Sequence, residues 1–322
     1  MKRELTIYAH AKINLSLDVL GMLDNGYHAV DMILQMIGLH DDVAVRWEAA
    51  ASAACAQAAG RPLTIALDPG RDDLPADDGN LAVRAARLMV REHVRRRGGE
   101  PAGSLRIAVT KRIPVAAGLA GGSGNGAAVL LALNELWDLH LPLPELCALG
   151  AELGADVPFS VIGLAKLNRR LGLADDPLAA VCARATGTGT ELEPLPGWAG
   201  ELVLAHPPLT VSTAEVYRGL RMDADTVHPD VAAQAAGIRA GDPKRVAENA
   251  VNVLENYSLN RYDKIVYTKN MIKMLAPEAV VLMSGSGPSV FALVDDPAVQ
   301  EQLLTALGKA GIDACRTESL RA

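Results

Sequence analysis

The sequence predicts an α+β protein with strands and helices in separate layers, on a chain long enough for two domains. Three observations carry that expectation. Apolar residues alternate with a period of two from Leu15 to Met36, helical three-to-four spacing sets in at Leu81, and strands followed by helices return after position 201. A chain of 322 residues buries roughly 75% of the surface its unfolded form exposes, so no disulfide or metal staple is needed.

The elements follow in order. Leu15, Leu17 and Val19 alternate with other residues, as do Val30, Met32, Leu34 and Met36, and Asp24-Asn25-Gly26 stands between the two runs. Asn-Gly between alternating runs is a strong hairpin signal. Val43–Trp47 and Leu63–Leu67 read as further strands, with an Ala-rich loop between them. Leu81, Ala85, Leu88 and Met89 predict a helix reaching about Arg97, and Leu105, Ile107 and Val109 return to the strand period. A glycine-dense stretch, Gly118 to Gly126, then runs into a strongly helical segment beginning at Ala127. Pro142 and Pro144 close that region, and a helix is expected over Pro144–Leu153. Later strands are expected at Glu201–Ala205, Ala279–Met283 and Ser289–Val294, and helices at Val231–Ala240, Pro243–Leu254 and Pro297–Ala310. A boundary falls between Gly163 and Glu201, a stretch rich in Gly, Thr and Pro.

Composition excludes several classes. Half the residues are hydrophobic and 21% are charged, which excludes whole-chain disorder. Lys and Arg total 31 against 38 Asp and Glu, for a net charge of −7. That balance lacks the footprint of a general nucleic-acid binder, and aromatics at 3% leave few stacking platforms. Cys55, Cys147, Cys182 and Cys315 lie far apart with no CxxC pair, so neither a zinc ribbon nor a disulfide framework is suggested. Glu4, His10 and Lys12 interrupt any signal-peptide core, and no apolar run is long enough to span a membrane. A soluble, cytoplasmic protein is expected.

The segment Pro114-Val-Ala-Ala-Gly-Leu-Ala-Gly-Gly-Ser-Gly-Asn-Gly126 is the richest in chemistry. Its glycines permit close backbone approach, and the helix that follows offers unpaired N–H groups and a positive dipole end, which together suit a phosphate. No Gly-Lys-Ser/Thr follows, so it is not a Walker A loop, and its glycine spacing is not a strict GxGxxG fingerprint either. On its own it reads equally well as a flexible helix entry. Lys12, in Ala11-Lys-Ile-Asn14, reads alone as a solvated strand residue, and Asp156, in Gly154-Ala-Asp-Val-Pro158, as a helix-end turn residue. Ser284-Gly-Ser-Gly-Pro288 reads alone as a tight loop between two strands.

Taken in order, these motifs change the reading. Ala-Lys-Ile-Asn, then Gly26-Tyr27-His28, the Gly118–Ser123 loop, Gly154-Ala-Asp-Val-Pro158 and Ser284-Gly-Ser-Gly-Pro288 resemble the GHMP kinases. Gly-Tyr-His, Asn80-Leu81-Ala82 and Val211-Ser-Thr-Ala-Glu-Val-Tyr217 resemble the branch that phosphorylates a cytidyl alcohol. The resemblance runs from Tyr8 to about Val294. It departs at Gly124, where the family has a second serine, and after Phe159, where about seventeen extra residues intervene around Leu164–Ala180. There Leu164, Leu167 and Leu171 mix with Lys166, Arg169 and Arg170, the pattern of an amphipathic helix. Such a helix would cover a neighbour, or be a tolerated surface excursion.

The resemblance implies a two-domain GHMP-kinase-like fold. A ribosomal-S5 domain 2-like amino-terminal domain would span 1–163, an insertion 164–180, and a ferredoxin-like carboxy-terminal domain 181–322. It further implies transfer of the γ-phosphoryl group of ATP to the 2-hydroxyl of a diphosphocytidyl methylerythritol, with Mg²⁺ and no nameable metal ligands. Lys12 and Asp156 would be catalytic. Asn80, Leu81, Pro114, Val115, Ala116, Ala117, Gly118, Leu119, Ala120, Gly121, Gly122, Ser123 and Gly124 would hold ATP. Asn14, Tyr27, His28, Thr213 and Tyr217 would hold the small-molecule cytidyl substrate, with neither nucleic acid nor membrane as partner. Two rivals remain at this level: a GHMP kinase acting on homoserine or a mevalonate derivative, and a catalytically silent GHMP-fold binding protein. Gly-Tyr-His speaks against the first, and the presence of both Lys12 and Asp156 against the second.

Overall fold

Two long strands open the chain, β1 (Lys2–Met22) and β2 (His28–Ala49), paired with each other as the alternating runs require. The structure, a computed structural model, describes residues 2–24, 26–50 and 63–321. The hairpin turn is closed by Leu23 N–H donating to Tyr27 O at 2.8 Å and Gly26 N–H to Leu23 O at 2.9 Å. Asn25, the Ala-rich loop and Cys55 lie outside the described residues. Two compact units result, and neither is continuous in sequence. One comprises Met1–His10, His40–Arg112 and Gly121–Ala179; the other Ala11–Leu39, Ile113–Ala120 and Ala180–Ala322.

In the first unit, β2 runs antiparallel to β4 (Gly103–Thr110) in the register Val45↔Ile107, and β4 runs parallel to β3 (Thr64–Asp68). The β3–β4 connection is α1 (Leu81–Arg97), capped by Asn80 at its start and by Gly98, at φ +76°, at its end. α2 (Gly121–Leu136) is buried on nearly every side, as a helix with apolar residues all round must be. It packs against α1 and α4 (Val157–Leu167), while α3 (Leu143–Leu153) starts at the expected proline pair.

The region around 164–180 is not one amphipathic helix. Leu164 and Ala165 belong to α4 and are fully buried, and the chain then makes a 3₁₀ turn at Arg169–Leu171. The reason is local. Asn168 ends α4 by donating from its side chain to Leu164 O at 2.7 Å, and Gly172, at φ +68°, closes the turn. Lys166 then ties the returning chain by donating to Ala174 O at 3.1 Å. Leu171 and Ala174 are buried, so the segment is packed into its own unit. Leu171→Ala is expected to lower unfolding free energy by about 2 kcal/mol, at the low end for a buried leucine. Denaturant melts check this, and KM values unchanged from wild type are expected alongside.

In the second unit, β2 pairs antiparallel with β5 (Cys182–Thr186), which pairs with β6 (Glu191–Leu195). A four-stranded antiparallel sheet follows, in the order β10 (Asp313–Glu318), β7 (Glu201–His206), β9 (Val290–Leu293), β8 (Val280–Met283). Helices precede β8, and α10 (Pro297–Lys309) lies between β9 and β10. This is the strand–helix–strand–strand–helix–strand succession of a ferredoxin-like domain. The core joins Ile13, Leu15 and Ile33 to Ile113, Leu119, Leu204 and Phe291.

The helices preceding β8 are α5 (Thr213–Gly219), α6 (Val231–Ala240), α7 (Pro243–Glu248), α8 (Glu255–Arg261) and α9 (Asp263–Leu275). The helix expected to reach Leu254 ends at Glu248. Beyond it the chain extends to pair with β1: Leu17 N–H donates to Val251 O at 2.8 Å and Val253 N–H to Leu17 O at 2.9 Å. The three described cysteines are free thiols, and burial raises the pKa of each, that of Cys147 to about 12. None of the three is a ready nucleophile.

Candidate active site

β1 turns one face to the core through Ala11, Ile13 and Leu15, which leaves Lys12, Asn14, Ser16 and Asp18 in a row on the other. All four are buried too, Lys12 to 5% exposure. Lys12 is therefore no solvated-face residue. A buried ammonium is costly unless it is compensated, and this one donates to Asn14 Oδ1 at 2.8 Å. Asn14 in turn donates to Met32 Sδ at 3.3 Å on β2. Asp18 ends the row, accepting from Val19 N–H and facing His228 Nδ1 at 2.7 Å.

The glycine loop stands beside this row: Lys12 N–H donates to Leu119 O at 3.1 Å. Along the loop Ala116, Gly118 and Ala120 take φ of +52°, +74° and +55°, whereas Ala117 and Leu119 do not have positive φ. A left-handed residue at every second position bends the backbone sharply, a feature such a loop shares with backbone sites for anions. Two of the three left-handed residues are alanines, each strained by roughly 1–2 kcal/mol. Strain of this kind collects where backbone geometry serves a ligand.

The loop is seated on the turn Ser284–Ser289. Ser284 Oγ donates to Gly118 O at 3.0 Å, and Ser289 N–H donates to Ala117 O at 3.4 Å. A Cβ on Gly118 would lie 2.1 Å from Ser284 O, so no other residue fits there. The same turn meets α5, where Thr213 and Ser286 hydroxyls are 2.9 Å apart. One helical turn along α5, the Tyr217 ring lies 5.1 Å from that of His28. Tyr27, beside it, is 68% exposed. The second unit thus brings together Lys12, Asn14, Ala117, Gly118 and Leu119, and separately His28 with Tyr217, while Thr213 is tied to the turn.

The first unit carries Asn80, Leu81, Gly121, Gly122, Ser123, Gly124 and Asp156. Gly121, Gly122 and Ser123 form the first turn of α2, whose N–H groups have no partner within the helix. Gly122 is exposed, and a Cβ there would meet only Leu81 Cδ1, at 3.7 Å, so the helix entry is open above it. Gly124 is buried, and a Cβ there would stand 3.3 Å from His10 O. Position 124 therefore has little room for the serine found in the family. Both polar atoms of Asn80 are engaged: it accepts from Ala82 N–H at 3.0 Å and donates to Pro75 O at 2.9 Å. It shapes the loop-to-helix junction.

Asp156 stands at the amino-terminal cap of α4, yet its carboxylate makes no cap bond there. Its main-chain oxygen instead accepts from Ser160 N–H and Ser160 Oγ, both at 3.1 Å. Pro114, Val115 and Ala116 lead into the loop, with Val115 and Ala116 exposed. Sequence reasoning passed over Ser16 and Asp18, whose signal was the polar alternation continuing from Lys12 and Asn14. Among the described residues no group of three or more His, Cys, Asp or Glu side chains is arranged to hold a metal ion.

Comparison with known proteins follows this geometry. The family model for the GHMP kinases N terminal domain matches residues 80–164, and that for the GHMP kinases C terminal domain matches 234–313. A 4-diphosphocytidyl-2-C-methyl-D-erythritol kinase of Geobacillus kaustophilus is 39% identical over 307 residues, covering 94% of this chain and 92% of the relative. One from Shouchella clausii is 38% identical over 290 residues, covering 90% and 86%. A crystal structure of 4-(cytidine 5'-diphospho)-2C-methyl-D-erythritol kinase superposes with a TM-score of 0.70 at 30% identity, covering 99% of this chain and all of that one. A homoserine kinase from Cytophaga hutchinsonii shares the fold, with a TM-score of 0.67 at 18% identity over 100% of this chain and 96% of that one.

Proposed function

Because the chain belongs to the GHMP kinases, we propose that it transfers the γ-phosphoryl group of ATP to the 2-hydroxyl of 4-diphosphocytidyl-2-C-methyl-D-erythritol. The observation that carries the substrate is the His28–Tyr217 ring pair, 5.1 Å apart, with exposed Tyr27 beside it. In a chain with only 3% aromatic residues, a tyrosine paired with a histidine, with a second tyrosine next to that histidine in sequence, suits a flat ligand. The names of the relatives agree with that ligand being a cytidyl group.

Each group then has a role. The sharply bent loop Ala116–Ala120 and the open first turn of α2 suit the phosphates of ATP, since the loop permits close backbone approach and the helix start offers N–H donors. When bound, Mg-ATP supplies the activated phosphoryl group with part of its charge neutralised. We propose that Mg²⁺ comes with the nucleotide, keeping waters and few protein ligands. Asp156 accepts the proton of the attacking alcohol. Lys12 neutralises charge on the transferring group, and Asn14 orients the Lys12 ammonium through the bond at 2.8 Å. Tyr27 and Tyr217 stack on cytosine, and His28 reads its edge. No helix among the described residues is long and apolar enough to cross a membrane. A cytoplasmic setting, where ATP is abundant, belongs to the same proposal.

The direct test is to incubate the protein with Mg-ATP and the cytidyl alcohol and look for the 2-phosphate by phosphorus NMR. Absence of that product, with phosphorylation of homoserine or mevalonate instead, rejects the substrate. Tyr217→Ala is expected to raise KM for the cytidyl alcohol about 5- to 150-fold, the value of one base–aromatic stack. KM for ATP should stay within about twofold. His28→Ala should narrow the preference for cytidyl over uridyl analogues, because a site that bonds a base edge rejects analogues that leave its polar groups unpaired.

A further inference from the structure

The glycine loop rests on the Ser284–Ser289 turn, and that turn is itself held from behind by one short segment. Asn252 donates through Nδ2 to both Met283 O and Gly285 O, each at 2.8 Å, while its Oδ1 accepts from Leu254 N–H at 3.0 Å. Three residues on, Glu255 Oε1 accepts from Met283 N–H at 2.8 Å. Glu255 is locked in turn by Lys269, whose Nζ lies 2.5 Å from Oε1. Three further on, Ser258 Oγ donates to Ser286 O at 3.3 Å. Residues spaced by three thus grip backbone groups of Met283, Gly285 and Ser286. Asn252 is 2% exposed and Ser258 fully buried.

This arrangement is more than packing because of what lies on the other side of the turn. Ser284 O limits how near Gly118 can come, Ser284 Oγ bonds Gly118 O, and a Cβ on Gly285 would stand 3.2 Å from Gly118 O and 3.5 Å from Asn14 Oδ1. With clearances this small, a shift of the turn is passed on to Gly118 rather than absorbed. Buried amides that bridge two carbonyls allow few alternative positions.

We propose that Asn252 is a positioning residue for nucleotide phosphate binding: acting through the Ser284–Ser286 turn, it fixes the backbone of Ala117 and Gly118. This rests on the reading of the loop as the ATP-phosphate site. It predicts a larger effect on ATP than on the cytidyl alcohol, since the turn bonds Gly118 directly and meets the cytidyl residues only through the Thr213 hydroxyl at Ser286. Glu255 and Ser258 act in the same sense, each on a single backbone group of the turn.

Asn252→Asp is the informative variant. The carboxylate still accepts from Leu254 N–H but has no donor for Met283 O and Gly285 O, so the clamp is lost while the helix start is kept. Two measurements apply to the full chain. Calorimetry with a non-hydrolysable ATP analogue should show Kd raised about tenfold, the loss of one or two buried hydrogen bonds, with the cytidyl alcohol changed less than about twofold. Amide hydrogen exchange on the ligand-free protein should show faster exchange in a peptide covering Val115–Ser123. Val253→Ala, a neighbouring buried residue whose backbone N–H bonds Leu17 O, controls for general loosening and should change neither. Should Asn252→Asp fail to fold, Ser258→Ala removes only the bond to Ser286 O and should move both readouts the same way, by about two- to fivefold.

Equal weakening of both ligands overturns the proposal. So does unchanged exchange in Val115–Ser123 in whichever variant folds, and so does a Val253→Ala protein that behaves like Asn252→Asp. Failure of the functional reading looks different. A wild-type protein that binds the ATP analogue but does not phosphorylate the cytidyl alcohol rejects the substrate and leaves the clamp standing, whereas one that binds no ATP analogue rejects both.

Discussion

Asp156→Asn is expected to lower kcat by about 10²–10⁴-fold, the usual worth of a positioned general base, with KM for ATP nearly unchanged. The amide keeps the shape and loses only the ability to take a proton. The helix start should be kept, because the Asp156 carboxylate does not cap α4 and the bonds from Ser160 go to its main-chain oxygen. Lys12→Met should cost a comparable factor in kcat, since it leaves the transferring group without its cation. If both serve one transition state, the double variant will be little worse than the more damaged single. Steady-state kinetics on the four proteins decides it: near-normal turnover in Asp156→Asn removes that residue from the chemistry, and multiplicative losses mean that the two act independently.

Gly118→Ala is expected to lower kcat/KM for ATP by about 10²-fold, the scale of an ångström-sized misplacement at a reacting group. Two costs combine. The residue sits at φ +74°, where a side chain is strained, and its Cβ would stand 2.1 Å from Ser284 O, which is backbone and cannot rotate away. The loop or the turn must move, and either motion shifts the loop backbone. Gly241→Ala separates the two costs: Gly241 has a similar φ, +65°, but nothing lies within 4 Å of its Cβ position. That variant should lose about 1 kcal/mol of stability from backbone strain alone and keep its kinetics. Thermal melts beside kinetics check both, and a Gly118→Ala protein with native ATP kinetics contradicts the seating of the loop.

Much of the fold was legible in the sequence, and what was missed had physical causes. β1, β2, α1, α2 and the strands around the Ser284 turn announce themselves by periodicity, because their buried positions are apolar. α9 does not. Its buried face is Ile265, Thr268, Lys269 and Ile272, so half of the helical stripe is polar and the period is hidden. β10 is concealed for a related reason, with only Thr317 of Asp313–Glu318 buried. In the segment after α7, pairing with Leu17 overrode local helix preference, a tertiary effect no window of residues contains.

The candidate site was legible as a set of motifs and illegible as an environment. Lys12 read alone as a surface cation, whereas the fold buries it; the clue was that Asn14, Ser16 and Asp18 continue its alternation on a strand whose other face is apolar. Asp156 read alone as a turn residue, and only geometry reveals a cap position whose carboxylate is not used for capping. The clamp from Asn252 to Ser258 has no local signature, because its partners lie about thirty residues further along.

The interrupted course of the chain has a consequence for synthesis on the ribosome. The first unit has all its sequence once Ala179 has emerged, so it can close while the remainder is still being made. The second unit draws Ala11–Leu39 and Ile113–Ala120 from the early part of the chain, yet most of it follows Ala180. At about 5–20 residues per second, reaching Phe291 from Ala179 takes roughly 6–22 s. For that interval Ile13, Leu15, Ile33, Ile113 and Leu119 have left the exit tunnel without Phe291 to pack against. The nascent protein therefore passes through a stage in which a folded body trails sticky, unfinished strands, and its yield depends on how well they are shielded.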